Sequence, residues 1–276
     1  MRPEQPGADE DRRGFTRLEL LVLLTVLALL VAVAPPVRGG AGVAKSLVCM
    51  ENLRRLSAAW MLYADENNGQ FVGNYHGGFN PLASATERPW AVGWLDWGTS
   101  SDNTNVLYLT TLRYAALSPY LGPDASVYKC PADDYLSPAQ AARGWSGRVR
   151  TYSLSVVFGE GNAETGPFNL QTAHLRRRSD PIRLSPQAAF VFLDEHPDSV
   201  NDPLFFVPNS PQNIVDVPGS HHEGAAWFTF ADGHLELRRW ESPELRRPVR
   251  LRSDVNVFVA PGNPDLQWLL DHTPQR

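Results

Sequence analysis

Leu20–Ala34 constrains this chain more than any other stretch. It carries no charge across fifteen residues, is broken in its apolarity only by Thr25, and runs into Pro35-Pro36. As a helix, Leu18–Ala34 rises about 25 Å and Phe15–Ala34 about 30 Å. The second figure matches the hydrocarbon core of a bilayer. Lipid offers no partner to an open backbone, so a run that spans it has to be helical. The sequence therefore predicts a transmembrane helix over residues 15–36, a short segment 1–14 ahead of it, and a large domain over 37–276 behind it. Arg2, Arg12 and Arg13 precede the run, and the excess of basic residues on the cytoplasmic side puts the C-terminal domain outside the cytoplasm.

Glu19 is the unusual residue at the start of this run. A carboxylate inside a membrane helix costs about 2.5–3.5 kcal/mol at the centre and less near the interface. Arg17 is two residues away and so on another face. An α-amino group made by cleavage before Phe15 would lie four residues from Glu19, and a neighbouring subunit would supply the same charge. The plainer alternative leaves Glu19 in the headgroup zone. A secretory signal is a competing reading, since Ala32-Val33-Ala34 has the A-x-A form of a cleavage site. Pro35 directly after it argues against cleavage there.

Beyond Arg38-Gly39-Gly40, Val43, Leu47, Met50, Leu53, Leu56, Trp60 and Tyr63 recur at helical spacing, and Asn67-Asn68-Gly69 signals the end. This predicts an amphipathic helix able to lie across a sheet. Asp65-x-Asn67-x-Gly69 has a faint calcium-loop look but lacks the closing Glu, so the helix-end reading prevails. Residues 70–105 read as an irregular connection in which Trp90, Trp94 and Trp97 either form a sugar or partner platform or pack the loop onto its own domain. Asn105–Tyr120 has the leucines of a further helix. Thr151–Phe158, Ala188–Asp194, Ala225–Phe230 and His234–Trp240 read as strands, the last two joined by Asp232-Gly233, a strong hairpin signal. Gly159–Pro186 reads as a loop insertion and Asp265–Leu270 as a short helix.

Gly14-Phe15-Thr16-Arg17-Leu18-Glu19-Leu20-Leu21-Val22 resembles the class III signal of type IV prepilins and type II secretion pseudopilins. The resemblance implies cleavage between Gly14 and Phe15 by a prepilin peptidase, methylation of the new Phe15 amine, and a role for Glu19 in pairing with a neighbour during assembly. Arg17 departs from the pattern, which usually has an apolar residue there; its side chain can snorkel to the headgroups. Further along come Cys49-x-x-Asn52-Leu53-Arg54, Tyr63-Ala64-Asp65, Cys130-Pro131-x-Asp133, Leu193-Asp194-Glu195, and His222 with nine residues before Asp232-Gly233. In that order they resemble prepilin-type proteins of planctomycete and verrucomicrobial kind that carry an H-x9-DG domain, here near 222–233. The implied fold is α+β and pilin-like: a long N-terminal helix, its first half transmembrane, packed on an antiparallel β-sheet with long loop insertions. The implied protein is a structural subunit of a type II secretion or type IV pilus-like assembly, in the bacterial cytoplasmic (inner) membrane as a single-pass protein with a periplasmic domain. Its partners would be other pilin or pseudopilin subunits, the peptidase and membrane lipid. A membrane-anchored or exported module binding carbohydrate or metal is the alternative.

The net charge of −5 gives no footprint for nucleic acid, and Arg176-Arg177-Arg178 reads as a loop cap. Cys49 and Cys130 are an even pair, either disulfide-bonded in an exported domain or buried as free thiols. Neither lies in a C-x-x-C pair, which argues against a zinc site built on them. Asp194, Glu195, His222 and Asp232 are candidate ligands for a divalent cation, with His222 and Asp232-Gly233 otherwise serving the hairpin. No nucleophile elbow, H-E-x-x-H or phosphate loop is present, so the sequence points away from an enzyme and calls for no cofactor beyond that candidate cation.

Overall fold

The structure is a computed structural model that describes residues 15–33, 40–77, 88–161, 173–206, 212–253 and 256–274. The 1–14 segment with Gly14, the Pro35-Pro36 stop and the Gly161-Asn162 turn lie wholly or partly outside them. The chain divides into two units, Met1–Gly40 and Ala41–Arg276.

In the first unit, helix α1 covers Arg17–Val33, 17 residues. Its start is set locally. Glu19 N–H donates to Thr16 Oγ1 at 3.2 Å, while Thr16 N–H and its hydroxyl donate back to Glu19 Oε2 at 2.8 and 2.9 Å. This reciprocal cap satisfies donors that the first helical turn leaves open. It also fixes the boundary, so Phe15 and Thr16 stay outside the helix. Seventeen residues rise about 25 Å, short of the roughly 30 Å hydrocarbon core. Among the described residues no helix is long and apolar enough to cross a membrane. That overturns both the transmembrane half-helix and the single-pass inner-membrane localisation expected from the sequence.

The second unit is α+β. Helix α2, Gly40–Glu66, runs to the Asn67-Asn68-Gly69 end. There Gly69 N–H bonds Ala64 O at 2.8 Å, with Asn68 and Gly69 both at positive φ, the left-handed exit that closes many helices. Its buried face carries Cys49, Asn52, Leu53, Leu56, Trp60 and Ala64. The strands are β1 (Tyr152–Ser155), β2 (Phe190–Asp194), β3 (Leu204–Phe205), β4 (Asn213–Ile214), β5 (Ala225–Phe230), β6 (Leu235–Arg239) and β7 (Val257–Phe258). Among the described residues, five form one sheet in the order β3-β1-β2-β5-β6, and β4 pairs with β7 apart from it.

The main sheet is mixed, not antiparallel as expected. β1–β2, β2–β5 and β5–β6 are antiparallel, but β3 joins β1 in parallel through Leu154–Leu204 and Ser155–Phe205. Two residues suffice for β3, because the Asp202 side chain anchors its start: Asp202 Oδ1 accepts from Leu204 N–H at 3.0 Å. β1, β2 and most of β5 are buried, with α2 across them: Tyr152 hydroxyl donates to Cys49 Sγ at 3.2 Å and Trp227 Nε1 to Ser46 Oγ at 3.0 Å. At the β5–β6 turn, Gly233 has φ 91°, the conformation that favours glycine.

Asn105–Tyr120 is two short helices instead of one, α3 (Leu107–Thr110) and α4 (Ser118–Leu121). Thr111 is extended and breaks the run. Pro138–Ala142 forms α5, opened by a Ser137–Gln140 capping box, and Pro264–Asp271 forms α6, opened by Asn263.

Candidate functional site

Four side chains from four separate segments meet at one end of the sheet. Cys49 comes from the middle of α2, Cys130 from the loop before β1, Asp194 from the last position of β2 and His222 from the turn before β5. Each is placed by its neighbours. Cys130 N–H donates to Thr151 Oγ1 at 2.6 Å, tying that loop to the start of β1. Tyr152 pairs with Asp194 across β1–β2. Gly219 N–H donates to Asp194 O at 2.6 Å, and a side chain at Gly219 would press on the Asp194 carboxylate. His222 N–H reaches Ala225 O at 3.3 Å, closing the turn into β5, in which Glu223 and Gly224 both have positive φ.

The functional atoms converge. Cys130 Sγ lies 3.5 Å from His222 Nε2, His222 Nε2 lies 3.6 Å from Asp194 Oδ2, and Cys49 Sγ lies 3.9 Å from the same oxygen. All four ligand atoms fall within 4.8 Å of one another. Cys49, Cys130 and Asp194 are fully buried and His222 is 6% exposed. Burial pushes the Cys49 thiol up and the Cys130 thiol well above its ordinary range. For His222, burial pulls the imidazole down, but its hydrogen bonds to Asp194 and Cys130 prevail and leave it at about 9. Asp194 Oδ1 is buried with no hydrogen-bond partner, a costly state for a carboxylate oxygen.

This grouping differs from the cation set read from sequence. Asp194 and His222 belong to it, whereas Glu195 and Asp232 do not. Adjacent strand residues project to opposite faces, so Glu195 turns away from α2 to Ser199 Oγ at 2.7 Å and to the Ser153 hydroxyl. Asp232 sits beyond the far end of β5 and pairs with His234 Nδ1 at 2.6 Å. The nine-residue interval from His222 to Asp232 is therefore the six residues of β5, about 20 Å, plus its two approaches. His222 serves the four-residue cluster, and Asp232-Gly233 serves the turn. Cys49 and Cys130 are free thiols in the same cluster, so the two sulfurs come together without a C-x-x-C pair. C-x-x-C spacing is only one way to bring two sulfurs together; here tertiary packing does it.

Glu195 belongs to a second buried polar group. Burial pushes its carboxyl up to about 8. Arg150, fully buried, donates to Tyr152 O, Ser153 Oγ and Asn201 O at 2.9, 3.2 and 3.0 Å. Asp216 accepts from Phe206 N–H at 2.6 Å and is raised well above the carboxylate range, first by burial and then by the charges of Glu195 and Asp202. Asp202 in turn faces His76 and Arg150. A carboxyl raised on folding favours the native state below the ordinary carboxylate range and loses that contribution as pH climbs through its raised value. Asp216→Asn keeps an oxygen for Phe206 N–H and cannot ionise. Its melting temperature is expected to exceed that of the parent by a margin that widens from pH 4 to pH 9; a margin flat across that range would show that Asp216 is already charged in the fold.

The three tryptophans do not form a shared platform. Trp90 is fully buried and donates to Asn74 Oδ1 at 3.3 Å and Pro203 O at 3.2 Å. Arg148 stacks over Trp97 at 4.0 Å, and Trp94 is 40% exposed. The calcium-like Asp65 pairs with Arg178 and Asn67 Nδ2 bonds Tyr63 O, so that segment is a helix end.

No family model, curated protein or solved structure matches this chain.

Proposed function

We propose that the chain is a pseudopilin-like or minor-pilin-like structural subunit of a type II secretion or type IV pilus-like assembly, matured by a prepilin peptidase between Gly14 and Phe15. The supporting observation is α1 itself. A helix without charge from Leu20 onward starts two residues after Phe15, and Leu18, Leu21, Leu24 and Leu29 are 73%, 59%, 55% and 64% exposed. Contiguous exposed apolar surface of this kind marks an interaction site. The partner of matching chemistry is the same helix of another subunit, packed side by side. On this reading the protein acts by assembly and not by catalysis.

Glu19 then has two duties, capping α1 and pairing with a neighbour's Phe15 amine. They are separable. Glu19→Ala removes the carboxylate half of the reciprocal cap, leaving Glu19 N–H on Thr16 Oγ1, and also removes the charge. Glu19→Gln keeps an oxygen for Thr16 N–H and removes the charge alone. Both variants are expected to drop out of co-assembly in pull-downs with tagged parent. Normal incorporation of Glu19→Gln would reduce Glu19 to a cap. The reading as a whole is tested by the N-terminal mass of the protein from its native source. Methylated Phe15 is expected, and a start at Met1 or Pro35 would remove prepilin processing from the account.

A further inference from the structure

We propose that Cys49, Cys130, Asp194 and His222 are the four ligands of a structural zinc ion that fastens α2 to the end of the sheet. Zinc bonds sulfur at about 2.3 Å and nitrogen or oxygen at about 2.0–2.2 Å in a tetrahedron, which sets neighbouring ligand atoms roughly 3.3–3.8 Å apart. The separations of 3.5, 3.6 and 3.9 Å fall on or beside these edges. Two sulfurs with one nitrogen and one carboxylate oxygen in tetrahedral array is a zinc donor set, since magnesium and calcium prefer all-oxygen shells.

The surroundings fit the same assignment. Asp194 faces Cys49 and His222 through Oδ2, while its Oδ1 is buried without a hydrogen-bond partner. Tyr152 hydroxyl donates to Cys49 Sγ at 3.2 Å and to Cys49 O at 3.4 Å, the supporting contact that a metal-bound thiolate uses to hold its orientation. Four protein ligands in a buried site leave no open position for substrate, the arrangement of a structural centre and not a catalytic one. On binding, each thiol and the His222 imidazolium release a proton to solvent; the two thiolate sulfurs, the imidazole Nε2 freed of its proton and the Asp194 carboxylate then donate lone pairs to the ion. No oxidant or reductant is involved. Successive ligands lie 81, 64 and 28 positions apart in sequence, 173 from first to last, so the ion would close loops that packing alone holds.

The test uses the full chain, purified anaerobically without added reductant or metal, with zinc content by mass spectrometry and thiols counted after denaturation. About one zinc per chain is expected, with both thiols recovered once a chelator is present. Cobalt(II) added to the stripped chain should give the visible absorption of a tetrahedral thiolate site. His222→Ala should lose affinity beyond the roughly 10–100-fold that loss of a merely supporting residue costs. His222→Cys supplies a replacement sulfur and should recover most of it, a rescue that a packing role for His222 would not produce. A Cys49–Cys130 disulfide in the parent chain, or two free thiols with no bound zinc at saturating metal, would overturn the assignment without bearing on the N-terminal reading. These parent-chain measurements decide the matter even where a variant fails to fold.

Discussion

Asp265→Ala is expected to destabilise the second unit by about 3–5 kcal/mol, the range for removing one partner of a buried ion pair. Asp265 is fully buried at the first turn of α6 and is a hub for the chain leaving β6. Its carboxylate accepts from Glu241 N–H at 3.0 and 3.1 Å, from Ser242 N–H at 2.7 Å, from Ser242 Oγ at 2.6 Å and from Arg238 Nη2 at 3.2 Å. Alanine would strand two backbone donors in the interior, each at the cost of an unmade hydrogen bond. It would also leave Arg238 with Glu241, whose side chain is 65% exposed, a pair of little worth. The negative charge is further favoured by its place at a helix N-terminus. Urea unfolding should show the midpoint falling with an unchanged slope. Asp265→Asn keeps one acceptor oxygen and should lose clearly less. A loss under about 1 kcal/mol for alanine would mean that water replaces the carboxylate and that α6 is not docked through it.

Asp265 also shows where the sequence stops being informative. Asn263-Pro264-Asp265 reads as a helix start, and α6 is there, but nothing local says that Asp265 bonds to residues 23 to 27 positions earlier. The same divide runs through the molecule. α2 was legible because its apolar positions recur every three or four residues and Asn68-Gly69 closes it. The β5–β6 hairpin was legible because Asp232-Gly233 supplies its turn. β3 was not, since two residues carry no period, and with it went the parallel pairing that makes the sheet mixed.

Asn105–Tyr120 misled because its leucines are spaced well enough for a helix, although the chain breaks at Thr111. At the N-terminus, Thr16-x-x-Glu19 is a capping-box sequence in plain view. Glu19 is thus a partner in hydrogen bonds at the helix start as well as a charge ahead of an apolar run. The four-residue centre was half legible: Asp194 and His222 read as cation ligands from the sequence, whereas Glu195 beside Asp194 faces the other way, a strand alternation that adjacency in sequence hides. Cys49 and Asp194 meet across 145 positions and Cys130 and His222 across 92. The packing of α2 on the sheet makes the first meeting, and the loops before β1 and β5 make the second.

Trp60→Ala tests that packing directly and is expected to cost about 3–5 kcal/mol, the range for truncating a large buried ring. Trp60 is 1% exposed on the sheet-facing side of α2. It stacks on Phe71 with centroids 4.5 Å apart and planes at 10°, and meets Phe158 edge-on at 5.4 Å; Phe71 and Phe158 are themselves edge-on at 5.5 Å. Each ring loses a neighbour if the indole goes, because aromatic pairs contribute about 0.5–1.5 kcal/mol beyond the area they bury. Phe71 and Phe158 come from the segments that follow α2 and β1, so the cavity would open where helix and sheet are joined. In a domain of this size such a loss lowers the melting temperature by on the order of 10 °C. Trp60→Phe separates the ring from the rest of the indole. Trp60 Nε1 is buried without a hydrogen-bond partner, and phenylalanine removes that unsatisfied donor while keeping a ring for Phe71. It should therefore cost far less than alanine despite its smaller volume. Equal losses for the two variants would show that the indole edge, and not the stacked face, holds α2 in place.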